Sequence, residues 1–539
     1  MTPLRVGLSL LVLALVTSIV PAAEIFPTDK PIEAAIDYYV DQLMKADGIT
    51  PAGQADDATL IRRLTLDLVG RIPTQAEVTA YVTSTNPNKR AELVDRLIAS
   101  PGFIRHQATQ FDLMLNANSE NRRSVREYLA GALKDGKGWD KIFRDLMLPD
   151  ETDPKLKGTS EYLRGRVTDL DRLTNDVSVS FFGVNVSCAQ CHDHPLVVDW
   201  KQDHFYGMKS FFARTYEAGN GIGEREAGLI KFKPTKGPER SAKLMFLTGA
   251  EVKTDTLREP TKDEQKKEKE LTEKAKAAKG TPVPAPKFSA RAQLVSVALQ
   301  PKESVFFSRN LVNRLWHRYL GMGLVSPLDQ MHSENPPTHP ELLDWLAGYA
   351  ASHGYDIRRL TRGIVMSKTY SRSSRFASES QPNPIYFAVA RLKPLTPMQL
   401  ASSLKIATTD PAQFEGLKPE ELEKRLEGID GSARGMANLF AIPTDDFQVG
   451  VGEALLFSNS DRLQKELLSD NGILGKLKTV KDPALAAEML VKVAYNRPPT
   501  AQEKATLVEY LGRRTDRINE AYRQVLWALL TSAEFRFSS

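Results

Sequence analysis

The chain has 539 residues, a length that allows about two to four domains with a sizeable buried core. Hydrophobic residues make up 41% of it and charged residues 26%, a balance that excludes a disordered, collagen-like or polytopic membrane chain. The 72 basic and 67 acidic side chains leave a net charge of +5, so a nucleic-acid partner is not predicted.

The first 23 residues have the pattern of a secretory signal peptide. Arg5 precedes an apolar run over residues 6–20, and the run ends in Pro-Ala-Ala at residues 21–23, a small-residue cleavage site. The run is shorter than the ~20 residues that span a bilayer as a helix. The sequence therefore predicts an exported, periplasmic or otherwise extracytoplasmic chain. Its mature part begins near Glu24 and contains no transmembrane helix, although an uncleaved anchor stays open as the alternative.

Apolar periodicity and capping residues predict a mainly α protein. From Ile32 to Leu43, apolar residues recur at steps of three and four, as on one face of a helix. Helix starts with capping boxes are predicted at Thr74/Glu77, Thr338/Glu341, Thr396/Gln399 and Thr500/Glu503. The predicted organisation comprises a helical domain over residues 24–220, a β-rich insert over 221–258, a charged and proline-rich linker over 259–287, and a second helical domain over 288–539.

The insert and the linker differ from the rest in composition. Residues 221–258 contain short apolar runs bounded by Gly and Pro, which predict a small β element. Residues 261–280 are almost all charged or Ala, so they are predicted to form a solvated helix or a disordered, flexible spacer. The proline-rich stretch over residues 281–286 predicts an extended, stiff segment, and the main domain boundary is expected here.

The two ends of the chain resemble each other. The sequence Arg-Ile-Pro-Thr-Gln-Ala-Glu over residues 71–77 is similar to Arg-Pro-Pro-Thr-Ala-Gln-Glu over residues 497–503. A Ser-x-x-Phe sequence follows each of them, at Ser100 and at Ser532. A repeated helical module whose copies pack together is one interpretation, and a chance likeness between capped helices is the other.

Both cysteines lie in one motif, Cys188-Ala-Gln-Cys191-His192. Cys-x-x-Cys-His is the attachment signature of c-type haem. Thiols three residues apart on one helical turn reach the two vinyl groups of a haem, and the adjacent histidine ligates the iron. We therefore predict covalent haem c on Cys188 and Cys191, with His192 as the proximal ligand of the iron.

The motif leaves two other uses open. Exported thiols oxidise, so Cys188 and Cys191 could form a disulfide. Thiolates and imidazoles also suit zinc, with His192 or His194 completing a metal site. The sixth ligand of a haem iron is not identified, and an open sixth position would suit ligand binding or peroxide chemistry. His194 would lie on the same side of the haem as His192 and is a poor distal ligand. The candidates for this distal position are His204, Met208, His317, His332 and His339.

One predicted helix of the second domain carries a polar cluster formed by Asn310, Asn313 and Arg314, beside Trp316 and His317. Buried polar side chains usually find hydrogen-bond partners, so helix packing is the favoured interpretation. A polar contact at the domain interface is the functional one.

The cysteine motif and its surroundings resemble a known family. Residues 187–200 are similar to the signature of a secreted planctomycete cytochrome-type family, the domain of unknown function DUF1549, and residues 61–78 and 93–103 resemble its start. The second half resembles the companion domain DUF1553 at residues 310–316, 335–343 and 391–397. The resemblance implies a cytochrome-like motif without an established activity. Relatives with a separate cytochrome c domain carry further motifs, whereas this chain has one, so a multi-haem relay is not expected.

The predicted function is that of an extracytoplasmic c-type haem protein in electron transfer or redox sensing. Its redox partner or envelope partner is unknown. The alternatives are a non-haem binding or scaffold protein of the envelope, with a disulfide or metal site, and a haem-dependent oxidoreductase. Whether the chain is an enzyme is left open, because the sequence indicates no substrate.

Overall fold

A computed structural model describes residues 26–117, 123–219, 221–235, 237–277, 285–443 and 451–538. The predicted signal peptide at residues 1–23 lies outside the described residues, as does part of the proline-rich stretch. The fold is mainly α, as predicted, with 24 α-helices and only short two-stranded sheets in the described ranges. No helix in those ranges has both the length and the apolar character needed to cross a membrane.

The helices follow one another along the chain with short connections. They are α1 Ile32–Ala46, α2 Asp57–Val69, α3 Gln75–Val82, α4 Lys89–Ala99, α5 Pro101–Leu115, α6 Arg126–Lys134, α7 Trp139–Met147, α8 Ser160–Arg164, α9 Leu170–Phe182, α10 Gln202–Ser210, α11 Lys262–Ala277, α12 Ala290–Ala298, α13 Val305–Leu320, α14 Pro340–Ser352, α15 Ile357–Met366, α16 Pro397–Thr408, α17 Pro419–Ala437, α18 Val451–Asn459, α19 Asp461–Leu467, α20 Ile473–Leu477, α21 Pro483–Tyr495, α22 Ala501–Gly512, α23 Ile518–Leu530 and α24 Ala533–Arg536. Short 3₁₀ turns lie at Ser187–Gln190, Pro384–Tyr386, Pro411–Gln413 and Thr515–Arg517.

The strands form four antiparallel pairs, β1–β2, β3–β4, β5–β6 and β7–β8. They are β1 Thr215–Ala218, β2 Gly221–Glu224, β3 Lys231–Phe232, β4 Arg240–Ser241, β5 Leu244–Met245, β6 Glu251–Val252, β7 Lys393–Pro394 and β8 Phe537–Ser538. The first three pairs form the predicted small β insert, which begins slightly earlier than expected because β1 starts at Thr215.

The charged segment after the insert is largely the helix α11, the first of the two predicted alternatives. Because it has no apolar stripe, ion pairs attach it to the insert. Glu268 accepts two hydrogen bonds from the Arg225 guanidinium, at 2.6 and 2.8 Å. Arg258 likewise donates two to Glu264, at 2.8 and 2.7 Å.

Apolar burial forms two cores. The first includes residues from Ile32 to Ala388, so it contains helices from both sides of the predicted linker. The second includes residues from Leu395 to Phe535, together with Leu66 and Ile72 from α2 and the turn after it. The segment around α2 therefore contributes to both cores. The predicted domain boundary at residues 259–287 stays a prediction. Apart from Leu66 and Ile72, the two hydrophobic cores divide the chain near β7, between Ala388 and Leu395.

The likeness between the two ends extends to their hydrogen bonds. Arg71 donates to both carboxylate oxygens of Glu77 at 2.8 and 2.9 Å, and Arg497 donates to both oxygens of Glu503 at 2.9 Å. A capping box begins each following helix, α3 and α22. The helices α2–α5 and α21–α24 thus share an ion pair and a capping box at equivalent positions, which supports their interpretation as two copies of one module.

The two copies contact each other directly. Arg62 of α2 donates to the Asn496 side chain at 2.7 Å and to the Ala494 carbonyl at 3.1 Å. In return the Asn496 amide donates to the Pro73 carbonyl at 3.1 Å. Hydrogen bonds from α2 and the turn after it to the end of α21 therefore join the copies.

Three of the four predicted capping boxes are present, at Thr74, Thr396 and Thr500. The fourth, Thr338/Glu341, is wrong. The helix α14 begins at Pro340, directly after His339, because proline with its fixed φ and missing N–H suits the first helical position. Thr338 lies outside the helix, and its N–H donates to the Leu324 carbonyl at 2.8 Å.

Candidate functional site

The cysteine motif lies on the short 3₁₀ turn that follows α9. That helix ends at Gly183, whose φ of 69° is in the left-handed region that glycine adopts readily. Apolar side chains then hold the segment to the core, since Val184, Val186 and Ala189 are buried. The chemically active side chains point the other way, and the turn presents Cys188, Cys191 and His192 to solvent.

A loop after α13 holds the segment in front of the motif. The Asn185 N–H donates to the Asp329 carbonyl at 2.8 Å, and the Asn185 amide donates to the Asp329 carboxylate at 3.1 Å. The Met331 N–H donates to the Gly183 carbonyl at 3.1 Å, and an isolated β-bridge pairs Val184 with Gln330. Residues far apart in the chain therefore fix the start of the motif.

The helix α10 fixes the other end of the motif. The Gln190 carbonyl ends the turn, and it accepts from the Gln202 side chain at 3.2 Å and from the Tyr206 hydroxyl at 3.1 Å. The Asp193 carboxylate accepts from the Gln202 N–H at 2.9 Å, at the start of α10. The turn is thus anchored on both sides although its three active side chains are exposed.

The His192 ring is held in one tautomer. Its Nδ1 lies 2.7 Å from the backbone carbonyl oxygen of Asp193. Because a carbonyl only accepts, Nδ1 carries the hydrogen, and Nε2 of the neutral ring keeps its lone pair. A histidine whose other ring nitrogen donates to a carbonyl is the usual arrangement of a metal-ligating imidazole. Two exposed thiols and such an imidazole nitrogen are the groups that covalent attachment of a haem uses.

His194 has a structural role. The ring Nδ1 of His194 accepts from the backbone N–H groups of Leu196 and Val197, at 3.2 and 3.0 Å. The backbone N–H of His194 donates to the Trp200 carbonyl at 2.8 Å. These bonds close a compact loop over residues 194–200, named here the 194–200 loop. Because the lone pair of Nδ1 is engaged in the loop, that nitrogen is unsuitable as an iron ligand.

Of the predicted distal candidates, His204 and Met208 lie on α10, and His317 and His339 lie on α13 and at the start of α14. Met208 lies in the first core with none of its surface exposed, and His317 is half-buried on α13. His204 accepts the Lys201 N–H at 3.2 Å, and burial lowers its pKa. His339 is buried at the start of α14, where burial lowers its pKa to about 4.

His332 lies on a segment from a distant part of the chain that contacts the 194–200 loop. The neighbouring Ser333 N–H donates to the Asp199 carboxylate at 2.7 Å. Burial lowers the pKa of His332, and the nearby Asp199 carboxylate opposes that shift. His332 Nε2 lies 3.0 Å from the Gln330 side-chain oxygen. The structure thus brings one distant candidate to the vicinity of the motif, and the identity of the distal ligand stays open.

The alternatives to haem have their own geometric requirements. Both cysteines are free thiols in this structure. Within the described ranges, no group of three or more His, Cys, Asp or Glu side chains is arranged to hold a metal ion. A disulfide would need oxidation of the two thiols, and the zinc alternative receives no support from the arrangement of the described side chains.

The polar cluster on α13 is packed as the favoured interpretation predicted, and it also lies on the contact with α9. Asn310 donates to the Ser180 carbonyl at 2.8 Å, and Arg314 donates to the Val179 carbonyl at 2.7 Å. Asn313 instead holds its own loop through the Val325 backbone. The cluster therefore satisfies carbonyls at the end of α9, from which the motif continues.

Comparison with protein families agrees with the predicted resemblance. Residues 35–217 match the family model PSCyt2, protein of unknown function (DUF1549), and residues 290–435 match PSD1, protein of unknown function (DUF1553). The chain therefore contains a DUF1549 region followed by a DUF1553 region, in the predicted order. Neither a curated protein nor a solved structure matches it. In this DUF1549–DUF1553 chain the cysteine motif belongs to the first matched region, and the loop that anchors it belongs to the second. The candidate site therefore lies where the two family regions meet.

Proposed function

We propose that this chain is an extracytoplasmic c-type haem protein that acts in electron transfer or redox sensing. The observation that carries the proposal is the exposure of Cys188, Cys191 and His192 on one anchored turn, with the lone pair of His192 Nε2 available. A haem would supply one-electron redox chemistry at its iron. The two thiols would hold it through thioether bonds, and His192 would be the proximal ligand.

The surroundings of His192 support this role. The Asp193 carbonyl keeps the proton on Nδ1 and orients the ring, and such a partner raises the basicity of a ligating nitrogen. The motif is also held by Asp329 on one side and by Gln202 on the other. A turn that is already ordered loses little conformational freedom when a cofactor binds to it.

The proposed location outside the cytoplasm depends on the amino-terminal sequence. Residues 1–23 have the basic start, apolar run and small-residue end of a signal peptide. Haem is attached to Cys-x-x-Cys-His after export, so the two patterns are consistent with one route of maturation.

The test is expression of the full chain in a host that exports it and matures c-type cytochromes. We expect the wild type to retain haem on a denaturing gel and to have a Soret band. Cys188→Ala and Cys191→Ala should each remove one thioether bond and weaken or abolish covalent retention. His192→Ala should change the absorption spectrum. His353→Ala is the matched control, because His353 is exposed at the end of α14, where its ring stacks on Tyr349.

A known c-type cytochrome expressed in the same cells checks the maturation machinery. If that cytochrome acquires haem while folded wild-type chain has no Soret band, the haem proposal is wrong. Metal analysis and thiol titration of the same sample then separate a zinc site from a Cys188–Cys191 disulfide, the two forms of the binding or scaffold alternative.

A further inference from the structure

The 194–200 loop carries two unusually exposed apolar side chains. Leu196 is 80% exposed and Val198 is 74% exposed, the two highest values among the large apolar side chains that the structure describes. The next is Leu392 at 58%. Single exposed apolar residues are normal on a protein surface, whereas a neighbouring pair with such high exposure is a candidate contact surface.

The exposure of this pair follows from an ordered loop. His194 closes the loop through three hydrogen bonds to Leu196, Val197 and Trp200. Val197 and Trp200 are buried, with 4% and 3% of their surfaces exposed. The chain therefore alternates outward, inward and outward over residues 196–198. The two apolar side chains point to solvent because their buried neighbours are anchored.

The pair lies close to the motif along the chain. Leu196 is four residues from His192, and four residues span at most about 14 Å even when fully extended. The start of this segment is fixed as well, since Asp193 binds the first residue of α10. A flat macrocycle ligated by His192 and bound to both thiols would lie within reach of the loop.

We propose that Leu196 and Val198 form an apolar cover for the haem attached at Cys188 and Cys191. This inference rests on the proposed function. The porphyrin is the occupant that explains why two apolar side chains are held outward beside a haem-attachment signature. By excluding water from one side of the ring, the pair would make the more highly charged ferric state less favourable and raise the reduction potential.

The test compares Leu196→Ser/Val198→Ser with Leu392→Ser in matured, full-length protein. Each replaces exposed apolar side chains by hydroxyls, and the control lies outside the loop. The hydrogen bonds that close the loop use backbone N–H groups, so folding should be unchanged, as circular dichroism and the melting temperature will verify. We expect both variants to carry as much covalent haem as the wild type. The midpoint potential should fall in the double variant and stay at the wild-type value in Leu392→Ser.

A second readout is independent of the redox potential. Protein without haem, made as Cys188→Ala/Cys191→Ala, should bind more of a hydrophobic fluorescent dye than the haem-carrying chain does. Adding Leu196→Ser/Val198→Ser should abolish most of this difference. Absence of haem from the wild type would refute the proposed function itself. If the wild type carries haem but the double variant changes neither the potential nor the dye binding, the cover is refuted and a protein partner becomes the occupant of the pair.

Discussion

The Arg62 guanidinium lies 2.7 Å from the Asn496 side-chain oxygen, across the contact between the two copies of the repeated module. Arg62 is buried, and burial lowers its pKa to about 10 even though Glu534 raises it. It is therefore still charged at neutral pH. Carbonyl oxygens near the end of α21 and in α24 accept its remaining hydrogen bonds, at Ala494 and Phe535. A buried cation in such an environment is stabilised by backbone dipoles that converge on it.

Replacing Arg62 should therefore destabilise the whole protein. Arg62→Met keeps the aliphatic volume but leaves buried acceptors at Ala494 and Asn496 without donors, so a loss of roughly 3 kcal/mol in the free energy of unfolding is expected. Arg513→Ala is the control, because Arg513 pairs with Glu509 on the surface and should cost less than about 0.5 kcal/mol. Urea denaturation of both variants measures the difference, and equal midpoints would contradict the role assigned to Arg62.

The repeat offers a matched pair of ion pairs that differ in burial. Glu77 and Arg71 are almost fully buried, whereas the Glu503 side chain is 33% exposed. Glu77→Gln leaves the charge of Arg71 buried without its partner and should cost about 3–5 kcal/mol. Glu503→Gln breaks the same hydrogen bonds near solvent and should cost about 1 kcal/mol or less. Denaturation at neutral pH tests the order of the two, and a larger loss in Glu503→Gln would refute it.

As the pH falls, the protein should first be destabilised by the cost of protonating His106, before the carboxylates are protonated. Burial, together with the nearby charges of Arg318 and Lys393, lowers the pKa of His106 to about 3. Because the folded-state pKa lies below the ordinary value of 6.5, the stabilisation is complete above pH 6.5 and is lost as the pH falls towards 3. His106→Gln should reduce the slope of the free energy of unfolding between pH 6.5 and 4.5. Some slope should remain, since His339 titrates in the same direction. An unchanged slope would show that His106 is not the titrating group.

The candidate site gives a prediction that does not require haem. Asn185→Ala removes the hydrogen bond to the Asp329 carboxylate and the acceptor for the Ser187 hydroxyl, at 3.1 and 2.6 Å. Amide hydrogen exchange over residues 186–193 should become faster, while exchange in α21 stays as in the wild type. Asn438→Ala, at the exposed end of α17, is the control. Exchange that stays slow over residues 186–193 would mean that the Asp329 loop does not hold the motif.

Local patterns in the sequence predicted the helical fold, the repeat and the cysteine turn, because helix caps and periodicity act over a few residues. The failure at Thr338 has a long-range cause, its hydrogen bond to the Leu324 carbonyl, together with the preference of Pro340 for the first helical position. The burial of Arg62 could not be predicted from the neighbouring sequence either, because its hydrogen-bond partners lie at the other end of the chain and charged residues are usually exposed.

The candidate site shows the same difference between local features, which the sequence predicts, and long-range contacts, which it does not. Its three active residues follow from a short motif, whereas its anchoring does not. Asn185 and Asp329 are separated by 144 residues, and neither belongs to a sequence pattern that predicts a contact between them. The role of His194 depends on the closure of a loop, which the spacing of histidines does not reveal. Sequence reasoning therefore proposed the reactive residues of the candidate site but missed the residues that hold them in place.

The position of Arg62 along the chain has a consequence for biosynthesis. Arg62 is made early, but the groups that accept its hydrogen bonds belong to the last helices, from Ala494 to Phe535. Until those residues leave the ribosome, α2 cannot bury its guanidinium without leaving a charge uncompensated. A chain that terminates before α21 therefore leaves Arg62, and the face of α2 that carries it, in contact with solvent. Translation of the final helices completes the folding of helices that were made first.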